Sequence, residues 1–366
     1  MDRTMNVGII GCGNISDAYL KAAAVFSGIR IAACSDINIT AAESKAREYG
    51  ISAAPVDVLL SDDTIDIILN LTTPQAHTEV NLKALQAGKH VHCEKPLAID
   101  REDGRKVIDL AKEKGLMIGC APDTFLGGGI QTCRKLIDDD KIGRIVAGTA
   151  FMMCHGHESW HPNPGFYYLK GGGPMFDMGP YYLTALVNLI GPIKSISAMS
   201  AMTFKERIAT SKEQNGVVLP VEIPTHITGI LEFHNGALVT LAMSFDVWRH
   251  SNHNIELHGE KGSLQVPDPN CFDGAVRIAR PGDDDWQEVP LTHGYTDNMR
   301  VIGAADMASA IRNKRRNRCS GELAYHVLDV MQAFDESSIQ GRRIVLEGTC
   351  EQPAALPTGL ADGELD

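Results

Sequence analysis

The chain has 366 residues, 44% hydrophobic and 22% charged, a globular balance that excludes a largely disordered polymer and leaves room for two domains. A formal net charge of −12 argues against nucleic acid as a general partner. Nine cysteines, odd in number and without a C-x-x-C pair, favour reduced thiols over a disulfide framework. The first residues carry no secretory leader and no apolar run is long enough to span a bilayer, so a cytoplasmic protein without a membrane partner is expected.

In chain order, residues 6–10 read as a β-branched strand. They are followed by Gly11-Cys12-Gly13-Asn14-Ile15-Ser16 and a helical pattern over 17–26. In such a strand–turn–helix the first glycine permits the tight turn. The second lets backbone approach a pyrophosphate, and the helix amino terminus supplies N–H groups. Ser16 in the third position keeps the residue small but weakens the fingerprint. Residues 30–35 form a second strand ending at Asp36, about twenty residues past the turn, where a carboxylate hydrogen-bonds an adenosine ribose and repels a 2′-phosphate. NAD is therefore favoured over NADP. The alternative for Asp36 is a cap on the helix beginning near residue 39.

Residues 66–71 form another buried strand, ended by Thr72-Thr73-Pro74, with a helix over 75–87 and Gly88 as its C-cap. Asn14, Ile15, Thr72, Thr73 and Pro74 are candidate dinucleotide contacts. His77 is either another or a polar surface residue. A strand over 89–93 leads into Glu94-Lys95-Pro96-Leu97. Proline restrains Lys95 to an extended conformation at the strand's carboxyl end, facing the crevice where open α/β sheets bind ligands. A helix over 101–114 and a strand over 116–121 complete a doubly wound parallel sheet in residues 1–122.

Gly11-Cys12-Gly13-Asn14-Ile15, Asp36, Thr73-Pro74 with His77, and Ala87-Gly88-Lys89-His90-Val91 running into Glu94-Lys95-Pro96-Leu97 resemble the Gfo/Idh/MocA family. This is the glucose–fructose oxidoreductase and inositol dehydrogenase group of NAD(P)-dependent enzymes. The resemblance implies a catalytic role for Lys95 and places Glu94 by the cofactor.

Residues 123–348 read as a substrate-binding and oligomerisation domain, with residues 349–366, rich in Pro, Gly, Ala and acid, as a mobile tail. Residues 122–129 form a turn-rich hinge whose Asp123 is a candidate substrate contact. A helix over 130–138 and a strand over 145–154 precede His155-Gly156-His157-Glu158-Ser159-Trp160-His161-Pro162. Trp160 suits a sugar-ring platform, with His157, His161 and Glu158 as hydroxyl partners. The same loop can be read as a metal set. It ends in Pro162 and Pro164 rather than resting on fixed ligand spacing, and no metal is assigned.

Gly171-Gly172-Gly173-Pro174 leads to Asp177, expected as the N-cap of a helix running to residue 190, because Pro180 is tolerable only in a first turn. Asp177 and Tyr181 then share a face, with Tyr182 beside them. The family shows Asp-x-Gly-x-His after such a glycine run, with Asp and His in the active site. This implies a site role for Asp177 and puts Tyr181 where the histidine stands. Tyrosine has a reference pKa of about 10 and needs a cation such as Lys95 to ionise. The base is accordingly Tyr181 or one of His155, His157 and His161.

Strands over 193–201, 225–234, 238–245, 252–258, 263–266 and 275–280 alternate with polar residues, as in an antiparallel sheet covered by helices on one face. A homodimer or homotetramer is expected to use the other. Trp248-Arg249-His250 is a second candidate substrate contact. Helices are expected over 299–312 and 322–339, with Ser320 as N-cap of the second and the basic run 312–318 as a solvated connection. The activity these readings imply is NAD-dependent oxidation of a secondary hydroxyl of a sugar, inositol or related polyol. The alternatives are a redox glycosidase that oxidises transiently, and a non-catalytic NAD-binding protein.

Overall fold

The computed structural model describes residues 3–366. The first half runs β1 (Met5–Ile10), α1 (Ser16–Ala22), β2 (Ile29–Ser35), α2 (Ile39–Tyr49), β3 (Ser52–Ala53), α3 (Val56–Ser61), β4 (Ile67–Asn70), α4 (Pro74–Gln86), β5 (His90–Cys93), α5 (Arg101–Lys114) and β6 (Ile118–Cys120). The strands pair in parallel in the order β3-β2-β1-β4-β5-β6. All four residues of β4 are buried, as a parallel strand covered on both faces requires. The strand order reverses between β1 and β4, so the ligand crevice lies at their carboxyl ends. Gly11, at φ +105°, turns the chain there. A Cβ on it would stand 2.6 Å from the Leu71 carbonyl at the end of β4, so only glycine passes.

The second half continues with α6 (Gly128–Asp138), β7 (Ile145–Met153), α7 (Gly173–Ile190), β8 (Ile193–Ala201), β9 (Glu206–Ile208), β10 (Val218–Pro220), β11 (His226–Phe233), β12 (Leu238–Ser244), β13 (Ile255–Gly259), β14 (Ser263–Val266), β15 (Val276–Ala279), β16 (Gln287–Val289), α8 (Ile302–Asn313), α9 (Gly321–Gln340) and β17 (Ile344–Val345). Nine of these strands form one sheet in the order β16-β15-β14-β13-β7-β12-β11-β8-β17. Every pairing is antiparallel except β7 with β12. Helices α6, α7 and α9 lie against it, while Met199, Ile230 and Leu238 stand exposed on its strands. No helix of the described residues is long and apolar enough to cross a membrane.

Three expectations are corrected by packing. First, α7 begins at Gly173, and Asp177 lies inside it rather than capping it. Pro180 is therefore in the helix interior. It removes one backbone N–H, but burial of nearly every residue from Gly179 to Ile190 holds the helix through it. Second, the tail is docked, not mobile. Leu356 and Leu365 are buried, the Leu356 amide donates to Gln131 Oε1 (2.8 Å), and Tyr295 Oη donates to the Glu364 carbonyl (2.6 Å). Third, the basic run is not wholly solvated. Arg315 and Arg318 pair with the buried Asp306 at 2.7 and 2.5 Å and with Asp366 of the tail at 2.8 and 3.3 Å. Helices α8 and α9 also return to the first sheet: a Cβ on Gly303 would stand 2.5 Å from His92, and one on Gly321 2.6 Å from Ile118. Ser320 caps α9, accepting from the Leu323 amide at 3.2 Å.

Candidate active site

The end of β5 is held before any ligand arrives. The Glu94 amide donates to the Asn70 carbonyl of β4 (2.8 Å). The Glu94 carboxylate accepts from Tyr19 Oη (2.6 Å) through one oxygen and from the Lys95 amide (2.9 Å) through the other. Asn70 in turn accepts from the Thr72 amide and hydroxyl at 3.2 and 2.7 Å, which fixes the loop after β4 beside it. These contacts fix the backbone at Lys95, whose side chain crosses to α7. Lys95 Nζ donates to the Asp177 carbonyl (2.6 Å) and to Asp177 Oδ1 (2.9 Å). The second oxygen of Asp177, Oδ2, lies 2.9 Å from His157 Nε2. One carboxylate thus bridges an ammonium and an imidazole.

The charges reinforce one another. Burial alone would raise the Asp177 carboxyl, but Lys95 and His157 overcome it and hold the group down at about 2. Burial would lower Lys95, yet Asp177, Tyr181 and Glu94 carry it well above the ordinary lysine value, so it is an ammonium at neutral pH. Tyr181 departs from expectation. Lys95 Nζ sits over the ring face, 5.2 Å from its centroid, instead of beside the phenol oxygen. Burial raises the phenol, and neither Lys95 nor the adjoining Arg300 brings it down.

A cleft of about 410 Å³ opens onto these groups, with Ile15, Thr72 and Pro74 on its first-domain wall and Lys95, His157, Trp160, Asp177 and Tyr181 opposite. Trp160 is 61% exposed at its mouth. Residues of the first wall fit a dinucleotide. Gly13 faces open space where a side chain would stand, and no side chain caps the amides at the start of α1. Asp36 is anchored at the tip of β2 by the Cys12 and Asn38 amides (2.7 and 2.8 Å). It does not cap α2, since Asn38 does. NAD would be held by the 11–15 turn, Asp36, Thr72 and Pro74. Thr73 is exposed at the start of α4 and does not line the cleft.

Four expected contacts lie elsewhere. Asp123 is 1% exposed and accepts the Val301 and Gly303 amides (3.0 and 3.1 Å) at the start of α8; burial, only partly offset by those amides, raises its carboxyl to about 6. Tyr182 is buried and its hydroxyl accepts from Asn254 Nδ2 (2.7 Å), facing the sheet instead of the cleft. His161 turns Nδ1 to the Asn163 amide (3.0 Å) and does not line the cleft. His77, neither surface residue nor cofactor contact, is wholly buried, with Nδ1 2.7 Å from the Pro96 carbonyl and Nε2 3.0 Å from the Thr72 carbonyl. Both nitrogens face acceptors, so the ring donates twice, as an imidazolium. Burial opposes that charge, but Cys93 and the two carbonyls raise the group to about 9.

The loop's remaining polar groups diverge. Glu158 is buried and accepts from Arg207 Nη1 (2.9 Å) and from Tyr168 Oη, so it is an anchor and not a hydroxyl partner. His155 stacks on Trp248, which lies outside the cleft wall. Among the described residues no three His, Cys, Asp or Glu side chains converge as a metal set. The cleft also contains residues that sequence reasoning missed. Arg300, just before α8, donates to Asn270 Oδ1 (2.9 Å) and Asn298 Oδ1 (3.0 Å) beside the Tyr181 phenol. Tyr167 and Phe176 complete the wall. No spacing links Arg300 or Asn270 to Lys95; only the return of the chain to the first domain brings them there.

A dinucleotide-binding sheet whose switch point opens onto a half-buried ammonium–carboxylate pair defines a nicotinamide-dependent oxidoreductase. Residues 5–121 match the model of an oxidoreductase family with an NAD-binding Rossmann fold, and residues 130–265 match a GFO/IDH/MocA C-terminal domain. The chain belongs to the Gfo/Idh/MocA family. It is 28% identical to the D-glucoside 3-dehydrogenase of Escherichia coli (strain K12), over 93% of this chain and 97% of that one. It is 27% identical to the inositol 2-dehydrogenase of Rhizobium meliloti (strain 1021), over 82% and 88% respectively. A solved levoglucosan dehydrogenase in complex with NADH and L-sorbose shares the fold, with a TM-score of 0.81 at 23% identity, covering 94% of this chain and 99% of that one.

Proposed function

We propose that the protein oxidises a secondary hydroxyl of a sugar, inositol or related polyol with NAD as acceptor. The observation that carries this reading is the contact of Lys95 with Asp177 across a cleft that also exposes the cofactor loop residues Ile15, Thr72 and Pro74. Relatives that span most of the chain act, by their names, on glucosides and inositol. NAD, when bound, supplies a two-electron acceptor for the hydride leaving the carbinol carbon. The chain's own residues do the rest. An ammonium has three N–H groups; Lys95 gives two contacts to Asp177 and retains one for the substrate oxygen, where it stabilises the negative charge that develops. Asp177 keeps Lys95 charged and aimed. Trp160 offers an apolar face to the carbon side of a sugar ring. Tyr167 and Phe176 line the cleft beside it.

The exposed Met199, Ile230 and Leu238 on the second sheet support assembly into a homodimer or homotetramer through that face. Light scattering on the purified protein tests this, and a monomer at micromolar concentration would reject it. The activity is tested by incubating the protein with NAD and a panel of sugars, glycosides and polyols and following NADH absorbance. Accumulation of NADH with at least one secondary alcohol is expected. Cofactor recycling with bond cleavage and no net NADH would favour a redox glycosidase instead.

A further inference from the structure

We propose that His157 is the group that takes the substrate's hydroxyl proton, with Asp177 as its orienting carboxylate. This rests on the dehydrogenase reading above and adds the identity of the base. Three side chains of the cleft can be considered. Lys95 has no lone pair in its bound state, because its ammonium is engaged by two oxygens of Asp177. Tyr181 is buried, Lys95 lies over its ring face and not at its oxygen, and burial outweighs both Lys95 and the adjoining Arg300, which leaves the phenol raised. His157 remains.

The geometry of His157 suits proton removal. Asp177 is an acceptor only, so Nε2 carries the hydrogen in their 2.9 Å contact and the neutral ring presents its lone pair at Nδ1. Nδ1 has no hydrogen-bond partner among the described residues, and the ring lines the cleft. The ring is held edge-on by Tyr167, Phe245 and Trp160, with centroids at 4.3, 4.7 and 5.2 Å. Its loop is pinned from the next residue: Glu158 is paired with the buried Arg207, and the Glu158 carbonyl accepts the Thr210 and Ser211 amides at 2.9 Å each. A base oriented by a carboxylate on its far nitrogen is the arrangement of hydrolytic triads, transferred here to an alcohol. The other histidines of the loop are engaged elsewhere, His155 against Trp248 and His161 against Asn163.

The reaction then balances. The hydroxyl proton goes to His157 Nδ1 and the C–H bond breaks with its electron pair leaving as hydride. The C–O bond becomes a carbonyl, and the hydride would pass to oxidised NAD held by the 11–15 turn, Asp36, Thr72 and Pro74. Lys95 stays protonated throughout. The titratable and charged groups around His157 are Asp177 on α7, Lys95 after β5 (through Asp177), Tyr167 in the segment before α7, and His161 on the same loop.

The test compares wild type, His157→Gln and Tyr181→Phe as NAD-loaded enzymes on the best secondary alcohol of the panel. His157→Gln should lower kcat/KM by about 100-fold or more and erase the acid limb of its pH profile. NAD affinity should change less than about twofold, since His157 touches only Asp177 and aromatic rings. Free imidazole should restore part of the turnover of His157→Ala. Tyr181→Phe should keep the acid limb. A readout independent of turnover is nitrogen NMR of the neutral wild-type imidazole with NADH bound, which should show the tautomer with hydrogen on Nε2 and none on Nδ1. The proposal is overturned if His157→Gln keeps the acid limb, if Tyr181→Phe alone removes it, or if Nδ1 carries the proton. Absence of NADH from wild type with every alcohol would instead overturn the dehydrogenase reading, so the two failures are separable.

Discussion

Replacing Lys95 by alanine removes a half-buried cation that makes two contacts with Asp177 and none with the dinucleotide turn. Two effects of known size follow. The developing charge on the substrate oxygen loses a charged donor, which costs about 10²–10³ in kcat, or roughly 3–4 kcal/mol. Asp177 loses its strongest counter-charge. Its carboxyl sits at about 2 against an ordinary 3.8, worth about 2 kcal/mol of folded-state stability. Because this pKa is depressed, the contribution is present above about pH 4 and lost as pH falls through about 2. The variant should therefore melt below wild type at pH 7, and the gap should close toward pH 2. Steady-state NADH formation gives kcat, fluorescence titration gives NAD affinity, and calorimetry across pH gives the melting difference. The double variant Lys95→Ala/Asp177→Asn should be less destabilised than the two single changes added together, because neither leaves a charge behind. A Lys95→Ala enzyme within about threefold of wild-type kcat would refute the reasoning, as would a tenfold loss of NAD affinity.

Further outcomes follow from other parts of the structure. Asp36→Ser removes the carboxylate at the tip of β2 and should weaken NAD while improving NADP, read as a fall of about tenfold or more in the ratio of their kcat/KM values. His77→Gln removes a ring that ties the Thr72 loop to Pro96. Its raised pKa places its stabilisation below the ordinary histidine value, with loss as pH rises through about 9, so wild type should lose stability between pH 7 and 10 and the variant should show a flatter profile. Deleting residues 349–366 strips the Asp366 partner from Arg315 and Arg318 and uncovers the sites of Leu356 and Leu365. A drop in melting temperature of several degrees is expected, whereas a loose tail would leave melting unchanged.

The parts of this molecule that could be read in the chain are those whose cause is local. Gly11 must be glycine because of the turn it makes, and the strand–turn–helix around it announces both the sheet and the cofactor. Lys95 was legible because proline and a strand end fix its direction. Asp177 was legible as a group of the candidate cleft but misplaced in its helix, because burial along α7 outweighed the cost of an interior Pro180. Asp123 and Tyr182 have the residue types of a polar site, yet their directions are set by the start of α8 and by Asn254, far away in sequence. His77 hides for the same reason, since nothing local shows that two carbonyls converge on its ring. The tail's composition suggested mobility, but a few anchors, Leu356, Leu365 and Asp366, suffice to dock it.

Hydride transfer from a carbinol carbon is the central claim, and isotope labelling tests it without intermediaries. The best alcohol of the panel is supplied with deuterium on the oxidised carbon and the NADH formed is examined by mass spectrometry. One deuterium per NADH, with a carbonyl product at that carbon, is the predicted result. Unlabelled NADH, or unchanged alcohol beside reduced cofactor, would contradict the account.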